Sequence, residues 1–317
     1  EALETIRRFT IEDLDRFGVR DGALRDRALT VASMSGAHKT VPALLVVVSD
    51  LSPGGGQMFG IRLANAWAAR GGRAVLLNAR RFPDHAEVVA NIDARVALYH
   101  ADTMEMSFGE LVARFDIDVV HSSIWWADRY VHENIGEAPD LPWIITMHGC
   151  YETILDNPQT DLSFGTYVPD MLKRVNVWVY TADKNRRVFG KLGEPSRLAN
   201  ILNGFEPDDD APRSRKELGL REDAIVLCLA TRAIAEKGWF EAVEMTKELN
   251  AKGVATDLML IGEGPAADAI ARQGPDHVHL YGQVSNLGGY IEAADIGILP
   301  TSFIGESMPL VLLEMMA

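Results

Sequence analysis

From Val41 onward the chain alternates short, nearly continuous apolar runs with longer amphipathic stretches. The runs "ALLVVVS" (43–49), "AVLLN" (74–78), "RVALY" (95–99), "DVVHS" (118–122), "WIITMH" (143–148) and "VNVWVYT" (175–181) are rich in β-branched residues and mostly lack a polar face. Such runs fit strands buried on both sides, as in a parallel sheet covered by helices. The stretches between them have helical spacing, so the pattern predicts an α/β fold.

The pattern breaks near "NGFEPDDDAPRSRKELG", where two prolines and three consecutive aspartates mark a linker. It restarts with strands at "AIVLCLAT" (224–231), "DLMLIG" (257–262), "VHLYG" (278–282) and "DIGILPT" (295–301). Helices are predicted over "KGWFEAVEMTKELNAK", after Pro265 and near "LGGYIEAA". Residues 1–40 mix apolar and charged positions at helical spacing and end in the polar "SMSGAHKT", which predicts a helical lead-in and a linker. The organisation expected is therefore a lead-in (1–40) and two Rossmann-like domains (41–202 and 203–317) facing a cleft. In open α/β sheets ligands collect at the carboxyl ends of the strands, so the residues just after each strand are the informative ones.

Length and charge narrow the partners. A chain of 317 residues that is 47% hydrophobic can bury two cores. Its net charge of −14 repels nucleic acid at long range, so an anionic ligand must be held by a local cluster of cations. Cys150 and Cys228 lie far apart and form no Cys-x-x-Cys pair, so neither a disulfide framework nor a zinc site is indicated and a reducing compartment fits. No apolar run reaches the ~18 residues of a membrane span and no signal pattern opens the chain, so a soluble, cytoplasmic protein is expected, with peripheral contact at the inner membrane face left open. The initial Glu1 suggests a fragment.

Three places carry candidate chemistry. In "SDLSPGGGQMFGIRLANAWAARGG" a strand runs through Gly54, Gly55 and Gly56 into a helix, a geometry that lets backbone N–H groups approach an anion. A plain tight turn explains the same residues. Gly54, Gly56 and Gly60 also spell G-x-G-x-x-x-G, and Arg80 and Arg81 could meet a 2′-phosphate, which keeps an NADP-dependent oxidoreductase open. In "LATRAIAEKGWF", Arg232 and Lys237 suit a diphosphate, although a surface ion pair explains them as well. In "SFIGESMPLVLLEMMA", Glu306 sits on a loop and Glu314 inside the following helix, with Pro309 in its first turn and Ser307 or Met308 as cap. The N–H groups of Ser307 to Leu310 could then hold phosphate while the glutamates take hydroxyls; two solvated acids are the alternative.

Together these pieces resemble the retaining, GT-B-fold glycosyltransferases of family 4. Glu306 and Glu314 match that family's E-x7-E motif, "TRAIAEKG" its R-x4-K-G element, "LIGEGP" its Gly-Glu-Gly-Pro turn, "VHLYGQVSN" its base-contacting strand and "SPGGGQ" its N-domain glycine loop. The resemblance spans Val41 to Ala317 and implies a metal-independent enzyme that moves a sugar from a nucleoside-diphosphate sugar to an acceptor, with no cofactor beyond that co-substrate. It implies that Arg232 and Lys237 bind the diphosphate, that Glu306 contacts the sugar and Glu314 the ribose, and that Gly55, Gly56 and the loop Ser307, Met308, Pro309, Leu310 supply backbone contacts. His148 in "TMHGCYE" matches a histidine beside the donor sugar. Asp116, Asp118 and the aspartates at 208–210 read as solvated acids rather than metal ligands.

The family continues beyond the second glutamate, so a truncated C-domain is expected and the activity of this fragment is left open. The acceptor is expected to be a saccharide or a lipid-linked group; Lys184, Arg186, Arg187 and Lys191 could face it, or form a solvated face. A GT-B-fold sugar-nucleotide isomerase and a non-catalytic nucleotide-sugar-binding module remain alternatives beside the NADP oxidoreductase.

Overall fold

Every strand pairing among the described residues is parallel. The computed structural model describes residues 41–79, 83–157, 161–204 and 211–317. The predicted lead-in, Arg80, Arg81 and the aspartates at 208–210 lie outside them. Contacts divide the chain after Leu202.

The first unit runs β1 (Leu44–Val48), α1 (Gly55–Ala69), β2 (Ala74–Asn78), α2 (Ala86–Ala90), β3 (Ala97–His100), α3 (Phe108–Arg114), β4 (Val119–Ser123), α4 (Trp125–Asn134), β5 (Trp143–Met147), α5 (Glu152–Asp156), α6 (Phe164–Arg174), β6 (Val177–Tyr180), α7 (Phe189–Leu192) and β7 (Leu198–Asn200). Its sheet has the order β3-β2-β1-β4-β5-β6-β7, which reverses direction between β1 and β4. The apolar runs predicted this burial on both faces. Leu45 and Val47 pack with Trp143, Trp178 and Phe164, while Leu44, Val46 and Val48 pack against Ile61 and Ala64 of α1. Each such side chain taken fully from water contributes roughly 1.5–3 kcal/mol.

The second unit runs β8 (Ile225–Ala230), α8 (Trp239–Ala251), β9 (Thr256–Ile261), α9 (Pro265–Gln273), β10 (Val278–Leu280), α10 (Leu287–Ile291), β11 (Ile296–Gly297) and α11 (Leu310–Met316). Its order is β10-β9-β8-β11, so the reversal falls between β8 and β11. In this architecture ligands bind at the carboxyl ends of the strands where the order reverses.

Two elements depart from the sequence pattern. β7 was not predicted, because "LAN" carries no apolar run; it forms as an edge that pairs with β6 through its backbone. β11 is shorter than the predicted 295–301. Ile298 still donates its N–H to Cys228 (2.8 Å), but Pro300 has no N–H with which to extend the ladder. Among the described residues no helix is long and apolar enough to cross a membrane.

Candidate functional site

In the second unit the chain leaves β8 at Ala230 and reaches α8 through a short 3-10 turn, Ala235–Lys237. Gly238 ends that turn with φ +82, and a Cβ there would stand 2.3 Å from the Pro300 carbonyl oxygen. Only glycine lets the segment after β11 close onto this turn. Two hydrogen bonds hold it there: Ser302 N–H (2.9 Å) and Thr301 Oγ1 (3.0 Å) both donate to the Glu236 carbonyl. The Phe303 ring consequently lies 4.7 Å from Lys237 Nζ and 5.9 Å from the Arg232 guanidinium carbon. Lys237 Nζ also donates to a Glu306 carboxylate oxygen. The side chains of this ion pair are only 11% and 20% exposed, so salt screens it less than a surface pair. Arg232 is exposed beside it.

The structure thus gathers Arg232, Lys237 and Glu306 around Phe303. Glu314 is the fifth residue of α11 and half-buried, about 6 Å along the axis from Leu310. The predicted helix start needs correction. Pro309 is itself the N-cap, with ψ 125, and the helix begins at Leu310. Met308 is held out of the helix because a following proline disfavours the α region there and because Asn203 grips it: the Asn203 backbone N–H donates to Met308 Sδ (3.3 Å) and its Nδ2 to the Met308 carbonyl (2.9 Å). Pro309 has no N–H, so it adds no backbone donor to this loop. Asn203 Oδ1 is buried with no hydrogen-bond partner among the described residues. Sequence reasoning missed both Asn203 and Phe303, whose roles depend on contacts distant in the chain.

In the first unit the glycine loop is built around an acid that the sequence reading passed over. Asp50 is buried and accepts from Ser49 Oγ (2.7 Å), the Ser52 N–H (3.1 Å) and Gln57 Nε2 (3.1 Å). Burial alone would raise its pKa; the hydrogen bonds from Ser52, Ser49 and Gln57 outweigh it and hold the carboxyl below its ordinary value. A carboxylate under this loop disfavours phosphate and suits hydroxyls. Gly54 is the N-cap of α1. A Cβ on Gly55 would meet nothing within 4 Å, whereas one on Gly56 would lie 2.5 Å from Ile124 Cδ1. Ile124 itself adopts φ 75, a strained conformation for a β-branched residue, directly after β4.

His148 follows β5 and packs against Phe59, with ring centroids 4.3 Å apart and the planes tilted by 57°. Burial pushes its pKa down to about 4, and burial together with the nearby His148 pushes His121 down to about 3. Both imidazoles are therefore neutral near pH 7. His121 Nε2 bonds Thr146 Oγ1 (2.9 Å), while His121 Nδ1 and His148 Nε2 are buried without hydrogen-bond partners among the described residues. Two side chains absent from the sequence reading fix the segment after His148. Asn185 Nδ2 donates to the Gly149 carbonyl, and the Tyr151 hydroxyl donates to Asp128. Asp128 is fully buried, also accepts from Ser122 Oγ (2.6 Å), and has its pKa pushed up to about 7 by burial, against the opposing hydrogen bonds.

The basic island is less basic than its letters. Lys191 pairs with Asp156 (2.6 Å) and Glu152 (3.0 Å), and Arg186 lies over the Tyr180 ring at 5.4 Å. Among the described residues no group of three or more His, Cys, Asp or Glu is arranged to hold a metal ion.

Comparison with known proteins bears on both units. No curated protein matches this chain in sequence. HepE of Anabaena, solved with UDP-glucose, matches in structure with a TM-score of 0.66 at 16% identity, over 87% of this chain and 78% of its own. A variant of TarM from S. aureus, solved with fondaparinux, α-GlcNAc-glycerol and UDP, matches with a TM-score of 0.61 at 9% identity, over 87% and 84%. A UDP-forming α,α-trehalose-phosphate synthase from Burkholderia xenovorans matches with a TM-score of 0.58 at 11% identity, over 87% and 81%. The family model described as "Glycosyl transferases group 1" matches residues 223–317. The segment that matches this model carries Arg232, Lys237, Glu306 and Glu314, and the fold of the chain is the GT-B fold of solved glycosyltransferases.

Proposed function

We propose that the protein transfers a sugar from a nucleoside-diphosphate sugar to a saccharide or lipid-linked acceptor, in the cytoplasm, with retention of configuration and without a metal. The observation that carries this reading is the set of Arg232, Lys237 and Glu306 around Phe303 at the reversal of the second sheet, inside the segment that matches the family. When the glycosidic bond breaks, negative charge grows on the β-phosphate. Lys237, held in place, and the exposed Arg232 are the cations that meet that charge, and such electrostatic stabilisation is usually the largest single contribution to catalysis. Glu306 receives sugar hydroxyls and Glu314 the ribose.

The first unit serves the acceptor side. Its Asp50 carboxylate suits hydroxyl groups and works against a phosphate, and the neutral His148 adds no charge to hold one. The same acid counts against an NADP-binding role for the glycine loop.

The test is a calorimetric screen of UDP-, GDP- and ADP-sugars, followed by kinetics with the donor that binds. Glu314→Gln should raise KM, because a ribose contact is alike in ground and transition states, while Glu306→Gln should lower kcat. Equal, small effects at both positions would return the glutamates to ordinary solvated acids. The anomeric configuration of the product, read by NMR, decides retention.

A further inference from the structure

Lys237 and Glu306 are assigned above to different parts of one ligand, the diphosphate and the sugar, yet they are paired with each other. We propose that this pair makes Glu306 a selector for sugar-bearing nucleotides over the bare nucleoside diphosphate. The proposal rests on the transferase reading and adds to it a way of discriminating donor from product.

The argument is one of partner exchange. A diphosphate that takes Lys237 strips Glu306 of its cation and sets a second anion beside it. A carboxylate only 20% exposed then loses its partner without regaining full hydration, and that loss opposes binding. A nucleotide sugar takes Lys237 in the same way but offers sugar hydroxyls to Glu306, so both groups leave the exchange satisfied. Once the sugar has moved to the acceptor, Lys237 is the hydrogen-bond donor to the Glu306 carboxylate among the described residues, and re-forming the pair helps to expel the diphosphate.

The competition is not relieved by moving the loop that bears Glu306, because that loop is pinned on both sides. The Glu306 N–H donates to the Phe303 carbonyl (3.0 Å), Ser302 and Thr301 are tied to the Glu236 carbonyl, and Met308 is gripped by Asn203. Lys237 is equally confined, with Phe303 at 4.7 Å and Gly238 ending its turn. Arg232 is different. Exposed, and without an ion pair among the described residues, it is the group free to make first contact with the diphosphate.

The experiment measures, by titration calorimetry on this chain, the affinities for UDP, GDP and ADP and for UDP-glucose, GDP-mannose and ADP-glucose. It is repeated with Glu306→Gln, Glu306→Ser, Glu306→Asp and Lys237→Ala. Removing the competing charge in Glu306→Gln should tighten binding of the bare diphosphate about 3- to 10-fold while the matching sugar nucleotide binds no tighter, so the preference between them narrows or inverts. Glu306→Ser should move the same way, and Glu306→Asp, which keeps the charge, should stay near the parent. Unchanged or weaker diphosphate affinity in both uncharged variants, with Lys237→Ala still weakening both ligands, overturns the selector and leaves the transferase reading standing. Failure of every nucleotide and sugar nucleotide to bind the parent and all variants overturns both.

Discussion

Among the described residues, the reversal of the first sheet carries a hydrogen-bonded Asp50 and two imidazoles that burial keeps neutral, and the reversal of the second carries Arg232 and Lys237, the latter joined to a carboxylate. The two sheets obey one topological rule, and that rule fixes where a ligand sits. It does not fix what the ligand is. Among the described residues near the two reversals, a polyanion finds Arg232 and Lys237 in the second unit, whereas Asp50 and the neutral imidazoles of the first suit uncharged, hydroxyl-rich groups. The glycine loop teaches the same lesson: its backbone could host a phosphate, but the acid at its base works against one.

The comparison can be broken most forcefully at Gly238. Gly238→Ala combines a left-handed backbone with a Cβ 2.3 Å from the Pro300 carbonyl, and it should destabilise the second unit by about 3 kcal/mol or more, read as an earlier urea transition. A midpoint equal to the parent's would mean that the segment after β11 is not locked to the Lys237 turn.

Next in size, Lys237→Ala should weaken binding of the nucleotide by about 10- to 100-fold, since a charge-assisted hydrogen bond contributes roughly 1.5–3 kcal/mol. His148→Ala should leave the affinity for the bare diphosphate within about twofold, because a neutral ring provides no charge to lose. Calorimetry with the two variants side by side would erase the contrast between the units if both fell alike.

A smaller effect sits in the first unit's core. The Asp128 carboxyl, pushed up from an ordinary 3.8 to about 7, favours the fold when protonated. Its contribution is complete below about 3.8 and is lost as pH rises through about 7, by at most about 1.4 kcal/mol per pH unit. His121 and His148, pushed down to about 3 and about 4, act in the opposite sense: their contribution is present above about 6.5 and is lost as pH falls towards those values. Asp128→Asn should therefore gain stability relative to the parent between about pH 5 and pH 8. Parallel unfolding curves for the two proteins across that range would rule out a protonated Asp128.

The smallest change is Gly55→Ala. With nothing within 4 Å of the added methyl, stability should hold or rise by up to about 1 kcal/mol. Turnover should fall only if a ligand lies against that backbone, so unchanged kinetics would remove Gly55 from the site.

How much of this was legible depended on how local each signal is. Continuous apolar runs announced β1, β2, β4, β5, β8 and β9, since burial on both faces leaves no alternative pattern. Arg232, Lys237 and Glu306 were legible as chemistry, because cations after one strand and an acid after another fall where topology puts ligands. Their mutual pairing was not, because 69 positions separate Lys237 from Glu306. Asp50 was overlooked beside three glycines, although Ser-Asp-Leu-Ser already held an acid between two hydroxyls. Asn185 and Asp128 gave no sequence signal, since a buried polar residue reads like any surface one until its neighbours are known. The start of α11 was misplaced by one or two residues because the grip of Asn203 on Met308 overrides local capping preference.

That grip also bears on how the protein comes into being. Asn203 opens the second unit and Met308 lies 105 positions later, so their contact closes almost the whole unit into one loop. Contacts of such sequence separation form late, after helices and neighbouring strands have condensed, because chain closure must precede any gain from them. The loop bearing Glu306 therefore acquires its geometry only when the unit is complete from one end to the other. An intermediate with native-like helical content would have neither the Lys237 pair nor the Asn203 clasp, and refolding followed by circular dichroism should run ahead of refolding followed by nucleotide binding.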